Sequence, residues 1–239
     1  MYSSQESQMT IAGHFSELYN IFRFSTFGVI FLSFFMSFFI EDLIKYWLDH
    51  LALDNTLVSL SVYSPYDWIN IKWTILLIFS ITTVLPITSL KLRSFALPGL
   101  YPKEQRWLSF VLLFSALFTP LLILSLWFIA IPFSLTFFVD FGVVDGVTAK
   151  YDAASLIYLG IGISWILIIG VLTIIVLSLS RIFGIVEGQD SKIRIRILLI
   201  GFSLIFLTLP ETYDGLRLII AFFTIFSADY LSRMTPIFE

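Results

Sequence analysis

The sequence contains no cysteine among its 239 residues, and only 13% of its residues are charged. The absence of cysteine excludes disulfide bonds, thiol catalysis and thiolate metal ligands. Soluble domains are about 25% charged, so the low charge and the mean hydropathy of +0.94 exclude a soluble globular core. The net charge of −3 is too small to indicate a nucleic-acid partner.

Long apolar runs make up most of the chain. A helix needs about 20 apolar residues to cross a hydrocarbon core about 30 Å thick. Four runs reach this length and two shorter runs follow them, so the sequence predicts an all-α membrane protein whose residues 1–239 form a single polytopic domain with six transmembrane helices. The predicted spans are residues 24–40, 71–90, 107–133, 154–179, 195–209 and 216–228.

The basic residues are distributed unevenly around these spans. Ten of the fourteen lie on one predicted side: Arg23, Lys91, Arg93, Lys103, Arg106, Arg181, Lys192, Arg194, Arg196 and Arg233. Cytoplasmic loops are enriched in Lys and Arg, so both termini are predicted to be cytoplasmic. The outer loop over residues 41–70 contains Trp and Tyr and is predicted to cap the bundle at the membrane interface.

The sequence lacks the residues that metal binding, phosphate binding, nucleophilic catalysis and ion-coupled transport require. The two histidines, His14 and His50, are predicted on opposite sides of the membrane and cannot share a metal ion. No Gly-rich phosphate loop and no Ser/His/Asp set is present, so we expect no catalytic residue, metal or cofactor and no enzymatic activity. The middles of the spans also lack carboxylates, which argues against a conventional ion-coupled carrier.

The loop over residues 95–106 carries the most specific local pattern. Pro98 and Gly99 predict a fixed bend, and Pro102 predicts the start of the next helix. Glu104 has two interpretations: a weak local salt bridge with neighbouring basic residues, or a carboxylate that pairs bidentately with the guanidinium groups of a guest. Glu17, before the first span, is either a solvated carboxylate or a second recognition group.

Acidic residues near the last two spans have structural interpretations. Glu211 and Asp214 lie in a segment that contains Pro and Gly and predicts a tight outer turn. Arg217 stands three residues after Asp214 and is predicted to pair with it. Asp229 is expected to be an interface residue rather than a buried charge.

These motifs together resemble the TatC family, the multi-spanning subunit of the twin-arginine protein translocase. The family's first cytoplasmic loop is matched in order and spacing by Phe95, Pro98, Leu100, Tyr101, Glu104 and Arg106. Its other motifs are matched by His14, Glu17 and Leu18 near the N-terminus, Ser64 and Pro65 in the first outer loop, Pro86 in the second span, and Thr208, Pro210 and Glu211 before the sixth span. The resemblance covers nearly the whole chain.

The chain also departs from the family pattern. Tyr19 and Ile21 stand where the family has N-terminal arginines, and Gly215 stands where it has a glutamine. The family's Phe-Glu-x-Pro motif in span four is replaced by residues 171–174, with Leu172 at the position of the carboxylate that engages small partner subunits. The sequence is identified as a divergent member of the family.

The resemblance implies a receptor with a concave, glove-like bundle whose last two helices are short. It would bind twin-arginine signal peptides of folded cargo through Glu17 and Glu104, beside Phe95, Pro98, Leu100, Tyr101 and Arg106. Small single-span TatA/TatB-type subunits would assemble around it into an oligomer, and the proton-motive force would drive export. The implied location is the plasma membrane of an archaeon or bacterium, or the mitochondrial inner membrane. A small solute carrier or channel and a degenerate structural scaffold stay open as alternatives.

Overall fold

Helices follow the apolar runs in the structure, which is a computed structural model that describes residues 11–51, 58–61, 64–142, 149–186 and 192–235. In chain order the elements are α1 (Ile11–Met36), α2 (Ile40–His50), β1 (Val58–Ser61), α3 (Pro65–Ala96), α4 (Pro102–Ser125), α5 (Ile131–Gly142), β2 (Ala149–Asp152), α6 (Ala153–Ile182), α7 (Lys192–Thr208) and α8 (Arg217–Ser232). Within these ranges the regular secondary structure is therefore helical apart from two four-residue strands.

In the part of the chain that the structure describes, four segments are long and apolar enough to cross a membrane: Ser16–Met36, Tyr66–Gly99, Pro102–Phe137 and Ala153–Ile182. The last two helices, α7 and α8, have 17 and 16 residues. At about 1.5 Å per residue each is about 25 Å long, which is less than the thickness of a typical hydrocarbon core. The membrane character predicted from composition is thus reproduced by four long apolar helices.

The chain bends between α1 and α2, within the region predicted as the end of the first span. α1 ends at Met36 and α2 begins at Ile40. The 11-residue α2 is amphipathic, and its buried face is formed by Ile40, Ile44 and Trp47. One apolar face against the bundle favours a short helix packed on its neighbours over a continuation of α1.

Long helices that follow one another along the chain run in opposite directions, which gives the bundle two distinct ends. In α1 and α3, Ser25 Oγ lies 2.7 Å from Thr88 Oγ1, and Ser33 Oγ donates to Ser80 Oγ at 2.9 Å. We call the end that holds the α3–α4 loop, the start of α7 and the last turn of α8 the basic end. The opposite end, with α2 and both strands, is the strand end.

Helix α6 lies at the centre of the bundle and contacts α3, α4, α7 and α8. Its glycines allow close approach: a Cβ on Gly160 would lie 2.7 Å from Ile131 Cδ1, and a Cβ on Gly162 would overlap the ring of Tyr213. The apolar side chains of α6 join three buried clusters, one at each end of the long helices and one against α7 and α8. By contrast, only 6% of the α1 span is buried.

Two long-range contacts organise the strand end. Strands β1 and β2 pair in parallel, with Val58 opposite Ala149 and Ser61 opposite Asp152. Between α4 and α5 the helix widens into a π-helical turn at Leu126–Ala130, where Trp47 Nε1 of α2 donates to Trp127 O at 2.7 Å. A π turn frees carbonyl groups from the regular ladder, and the α2 indole uses one of them.

Candidate functional site

The α3–α4 loop is a short, closed turn at the basic end. Residues Leu97–Gly99 form one turn of 3-10 helix, and the Leu100 N–H donates to Leu97 O at 3.2 Å. The backbone is extended at Tyr101, and α4 begins at Pro102, where a missing N–H has no cost. The bend and the helix start therefore follow the local proline pattern.

Two side chains at the start of α4 hold this loop. The Gln105 amide Nε2 donates to Leu97 O at 2.9 Å and to Leu100 O at 3.0 Å. The Tyr101 N–H donates to Glu104 Oε2 at 3.0 Å, so Glu104 caps its own helix by the reciprocal contact of a capping box. Glu104 is 6% exposed, and its contact with the backbone N–H of Tyr101 holds it against its own loop.

The other loop residues divide into an exposed set and a packed set. Pro98, Tyr101 and Arg106 are exposed. Phe95 and Leu100 pack instead against a buried cluster that includes Leu92, Leu108 and Ile175. The loop thus presents a polar, solvent-facing rim on an apolar base.

The start of α1 meets the same apolar base. Leu18 packs against the cluster that Phe95 and Leu100 join, while Glu17, next to it, is exposed. The structure therefore brings Glu17 and the α3–α4 loop to one end of the bundle, as the interpretation of both as recognition groups requires. The side chain of His14 lies outside the described residues.

Most remaining motif residues lie at the strand end. Ser64 occupies the N-cap position of α3 without a side-chain cap, and Pro65 is the first residue of that helix. Thr208 closes α7 by donating from Oγ1 to Leu204 O at 2.8 Å, and Pro210 precedes a 3-10 turn at Glu211–Tyr213. Pro86 is different, because it lies within α3. Helix ends and turns account for the positions of these residues.

A polar cavity of about 420 Å³ opens at the strand end beneath this turn. Its polar lining includes Asp67, Asp152, Tyr158, Glu211 and Arg217. The carboxylate of Asp152 is committed to the first turn of α6, where it accepts from the N–H groups of Ala154 at 3.2 Å and Ser155 at 3.1 Å. The cavity therefore lies at the far end of the bundle from Glu17 and Glu104.

The turn between α7 and α8 is anchored on α6 by Tyr213. Its hydroxyl donates to Leu159 O at 2.6 Å, and its ring lies against Gly162. Burial raises the pKa of Tyr213 to about 12. In the same turn Arg217 Nε lies 2.9 Å from Asp214 Oδ1, which confirms the predicted pair as an ionic contact, although the angles at Nε are outside hydrogen-bond geometry.

The interpretation of Asp229 as an interface residue rather than a buried charge was wrong. Asp229 is 4% exposed and accepts from three guanidinium groups. Arg194 binds it through Nε to Oδ1 at 2.8 Å and Nη2 to Oδ2 at 2.5 Å. Arg181 Nη2 reaches Oδ1 at 3.3 Å, and Arg233 donates to Oδ2 from Nη2 at 2.9 Å and Nε at 3.1 Å. We call these four residues the arginine cluster.

The arginine cluster joins α6, α7 and α8 at the basic end. Sequence reasoning missed it because Arg181 and Arg194 are far from Asp229 in the chain and the ends of apolar runs are where charges are ordinarily expected. The available signals were Arg233, four residues after Asp229, and the basic residues at the ends of two other apolar runs.

The helices and their buried contacts define a polytopic helical membrane protein with no extended soluble part among the described residues. A family model described as "Sec-independent protein translocase protein (TatC)" matches residues 13–223. The chain therefore belongs to the TatC family, whose members are protein translocase components.

Two solved structures share the fold. They are crystal structures of a twin-arginine translocase receptor, TatC, one of them in DDM, and each has a TM-score of 0.59 and 20% sequence identity to this chain. The matches cover 94% and 93% of this chain and 100% and 99% of the respective structures. No curated protein sequence matches the chain.

Proposed function

We propose that this protein is the receptor subunit of a twin-arginine translocase, which binds twin-arginine signal peptides and organises the export of folded proteins with energy from the proton-motive force. The observation that carries the proposal is the closed α3–α4 loop, which shares the basic end of the bundle with Glu17. The family assignment supports the export role.

Recognition of paired arginines would use two carboxylates that differ in exposure and in hydrogen bonding. Glu17 is exposed on α1. Glu104 is buried and has Oε2 committed to the Tyr101 N–H, so a guest guanidinium would pair with its other oxygen, Oε1. Arginine suits such a contact because its planar fork matches carboxylate geometry, and a partly desolvated pair is strong.

The apolar part of a signal peptide would bind the surface beside this loop. Leu18, Phe95 and Leu100 form the accessible edge of the buried cluster at the basic end. Apolar burial supplies affinity in proportion to the area removed from water, while the carboxylates supply selectivity. In this proposal the polar rim of the loop selects the paired arginines, and the apolar base binds the apolar part of the peptide.

The proposed membrane topology has six spans with both termini in the cytoplasm. Four long helices and the shorter α7 and α8 support this count, since two short helices side by side can be accommodated by local bilayer thinning. The enrichment of basic residues at the basic end supports a cytoplasmic location for that end. The membrane would be a plasma membrane or the mitochondrial inner membrane.

Small single-span TatA/TatB-type subunits are the proposed partners. Leu172, at the position of the family's carboxylate, is 43% exposed on α6, and its neighbour Thr173 is buried and donates to Ile169 O at 2.8 Å. Because Leu172 is apolar and lies on the open face of α6, we expect partner helices to contact this face by side-chain packing and not by pairing with a carboxylate.

Photocrosslinking tests the receptor role. A photoreactive residue at Tyr101, which is 67% exposed, is expected to capture a twin-arginine signal peptide and not the twin-lysine version. The matched control is Tyr66, which is 80% exposed at the strand end and should capture neither peptide. Equal capture of both peptides at Tyr101, or capture of none, would count against the receptor role.

A substitution pair separates recognition by Glu104 from its capping of α4. Glu104→Gln keeps an oxygen that accepts from the Tyr101 N–H but removes the negative charge. We expect Glu104→Gln and Glu17→Gln each to weaken binding of the twin-arginine peptide by at least about tenfold, the effect of losing one charge-assisted bond. The control Glu211→Gln, at the strand end, should bind as the unsubstituted protein does. Unchanged binding by Glu104→Gln would leave Glu104 a purely structural cap.

The cavity at the strand end favours the alternative of a small solute carrier, since a carrier needs a polar binding space. Liposomes that contain the purified protein alone distinguish the two functions. Flux of a small solute in the absence of any partner would support the carrier; a receptor should show none.

A further inference from the structure

A single peptide group in the α3–α4 loop is held from both sides. The peptide that joins Leu100 to Tyr101 carries the Leu100 carbonyl and the Tyr101 N–H, which point in opposite directions in a trans peptide. The carbonyl oxygen accepts from Gln105 Nε2 at 3.0 Å. The N–H donates to Glu104 Oε2, also at 3.0 Å. Two adjacent side chains in the first turn of α4 therefore fix the plane of this peptide.

Both donors of the Gln105 amide are used within the loop. Its Nε2 carries two N–H groups, which donate to Leu100 O and, at 2.9 Å, to Leu97 O. Because both partners are carbonyl groups, the nitrogen of the amide and not its oxygen must face them. Leu97 O also accepts from the Leu100 N–H, which closes the 3-10 turn. Gln105 thus ties the start of the loop to the peptide that precedes Tyr101.

The orientation of this peptide determines the orientation of the Glu104 carboxylate. Glu104 is buried, and its Oε2 accepts from the Tyr101 N–H. Rotation of the peptide plane would turn this N–H away and release the carboxylate to other rotamers. Gln105 opposes the rotation because it holds the carbonyl of the same peptide. Its effect on Glu104 therefore passes through the backbone.

A fixed carboxylate matters more for binding arginine than for binding lysine. The donors of a guanidinium form a planar fork with fixed directions, whereas the ammonium of lysine can rotate its three donors toward an acceptor. The proposed guest contact, Glu104 Oε1, keeps one direction only while the carboxylate is held. Loss of that orientation should weaken an arginine contact and leave a lysine contact almost unchanged.

We infer that Gln105 is a positioning residue that sets the preference of the receptor site for arginine over lysine, because it holds the Leu100–Tyr101 peptide and thereby the carboxylate of Glu104. The inference rests on the proposed receptor function. Gln105 stands between Glu104 and Arg106 in the loop pattern but was not part of that pattern.

Binding of two peptides to the purified full chain tests this role. The probes are a twin-arginine signal peptide and its twin-lysine version, and the quantity compared is the ratio of their dissociation constants. Gln105→Met keeps the length and helix propensity of the side chain but lacks the donors. We expect arginine binding to weaken by about tenfold, the loss of one charge-assisted hydrogen bond, and lysine binding to change by less than about twofold.

The matched control is Thr83→Val. It removes a hydrogen bond from a side chain to a carbonyl, Thr83 Oγ1 to Phe79 O, within α3 and outside the loop. This variant should keep the ratio of the unsubstituted protein. Gln105→Glu also lacks the amide donors and serves as the second variant if Gln105→Met does not fold. Its added charge favours both peptides, so only the ratio is compared for it.

A double-mutant cycle with Glu104→Gln tests whether Gln105 acts through Glu104. In the Glu104→Gln background, Gln105→Met should weaken arginine binding by less than about twofold, because the oriented charge is already lost. A further loss of about tenfold in that background would mean that Gln105 contacts the peptide directly, and would overturn the positioning role.

The remaining outcomes separate this inference from the receptor function. If the unsubstituted protein binds both peptides equally, or neither, the receptor function fails and the inference fails with it. If the unsubstituted protein prefers the arginine peptide and the Gln105 variants keep that preference, the receptor function stands and the positioning role is overturned. An equal loss of both peptides in these variants would show that Gln105 is only structural, and would also overturn it.

Discussion

Two buried carboxylates at the basic end are held in opposite ways. Glu104 is 6% exposed and accepts from a backbone N–H three residues away, in its own loop. Asp229 is 4% exposed and accepts from guanidinium groups on α6, α7 and α8. The first carboxylate shapes a local turn, and the second joins three helices.

The contrast separates two kinds of structural dependence. The hydrogen bonds of the α3–α4 loop join residues close in sequence, so its shape depends mainly on local contacts. The arginine cluster exists only when three helices are docked, so its loss should destabilise the whole α6–α8 part of the bundle.

The largest expected effect is that of Asp229→Ala. Removing the carboxylate leaves three guanidinium groups close together with no carboxylate between them, and breaking a buried ion pair on one side costs about 3–5 kcal/mol. The free energy of unfolding in detergent, followed by circular dichroism, should fall by this amount. A loss below about 1 kcal/mol would mean that the cluster does not join the helices.

A smaller effect is expected for Gln105→Ala. The amide donates two hydrogen bonds to carbonyl groups of the loop, and each is worth about 0.5–1.5 kcal/mol. Hydrogen exchange at residues 97–101 should accelerate, while exchange in α6–α8 stays the same. The variant Gln105→Glu lacks the amide donors, so its hydrogen exchange at residues 97–101 should accelerate in the same way. If both variants exchange as slowly as the unsubstituted protein, the prolines alone hold the loop.

Glu104→Ala should cost about 1 kcal/mol, the typical value of a lost capping contact. Glu104→Gln keeps the acceptor and should cost less than half of that. The difference between the two unfolding free energies measures capping directly. Equal losses would indicate that the charge, and not the hydrogen bond to Tyr101, stabilises the start of α4.

The smallest effect is expected for Asp214→Ala. Its ion pair with Arg217 is largely exposed on the aspartate side, at 68%, and exposed pairs contribute about 0–1 kcal/mol. The unfolding free energy should change little at low salt and not at all at high salt. A loss as large as that of Asp229→Ala would remove the distinction between local and long-range ion pairs drawn above.

The same distinction explains what the sequence could predict. Apolar runs predict helices because burial in a bilayer needs continuous apolar residues, and Pro98, Gly99 and Pro102 predict the loop because turn signals act over a few residues. The pairing of Arg217 with Asp214 was predicted for the same reason. The capping contact of Glu104 was not predicted. Burial of Asp229 was not predicted either, because its partners Arg181 and Arg194 lie on other helices, and helical periodicity does not identify which helices are neighbours.

The strand end contains two further contacts between segments that are far apart in the chain. The pairing of β1 with β2 joins segments separated by three helices. At the π-helical turn of Leu126–Ala130, Trp127 O accepts from Trp47 of α2, eighty residues earlier. In both cases the tertiary fold supplies the partner, so the sequence around either segment does not identify it.

The π-helical turn has a consequence for the evolution of the chain. Such a turn holds one residue more than an α-helical turn, so a relative that lacks one residue here would form a regular helix. Every later residue of α5 would then be rotated by about 100°. A one-residue deletion at this point would therefore change which face of α5 packs against the bundle.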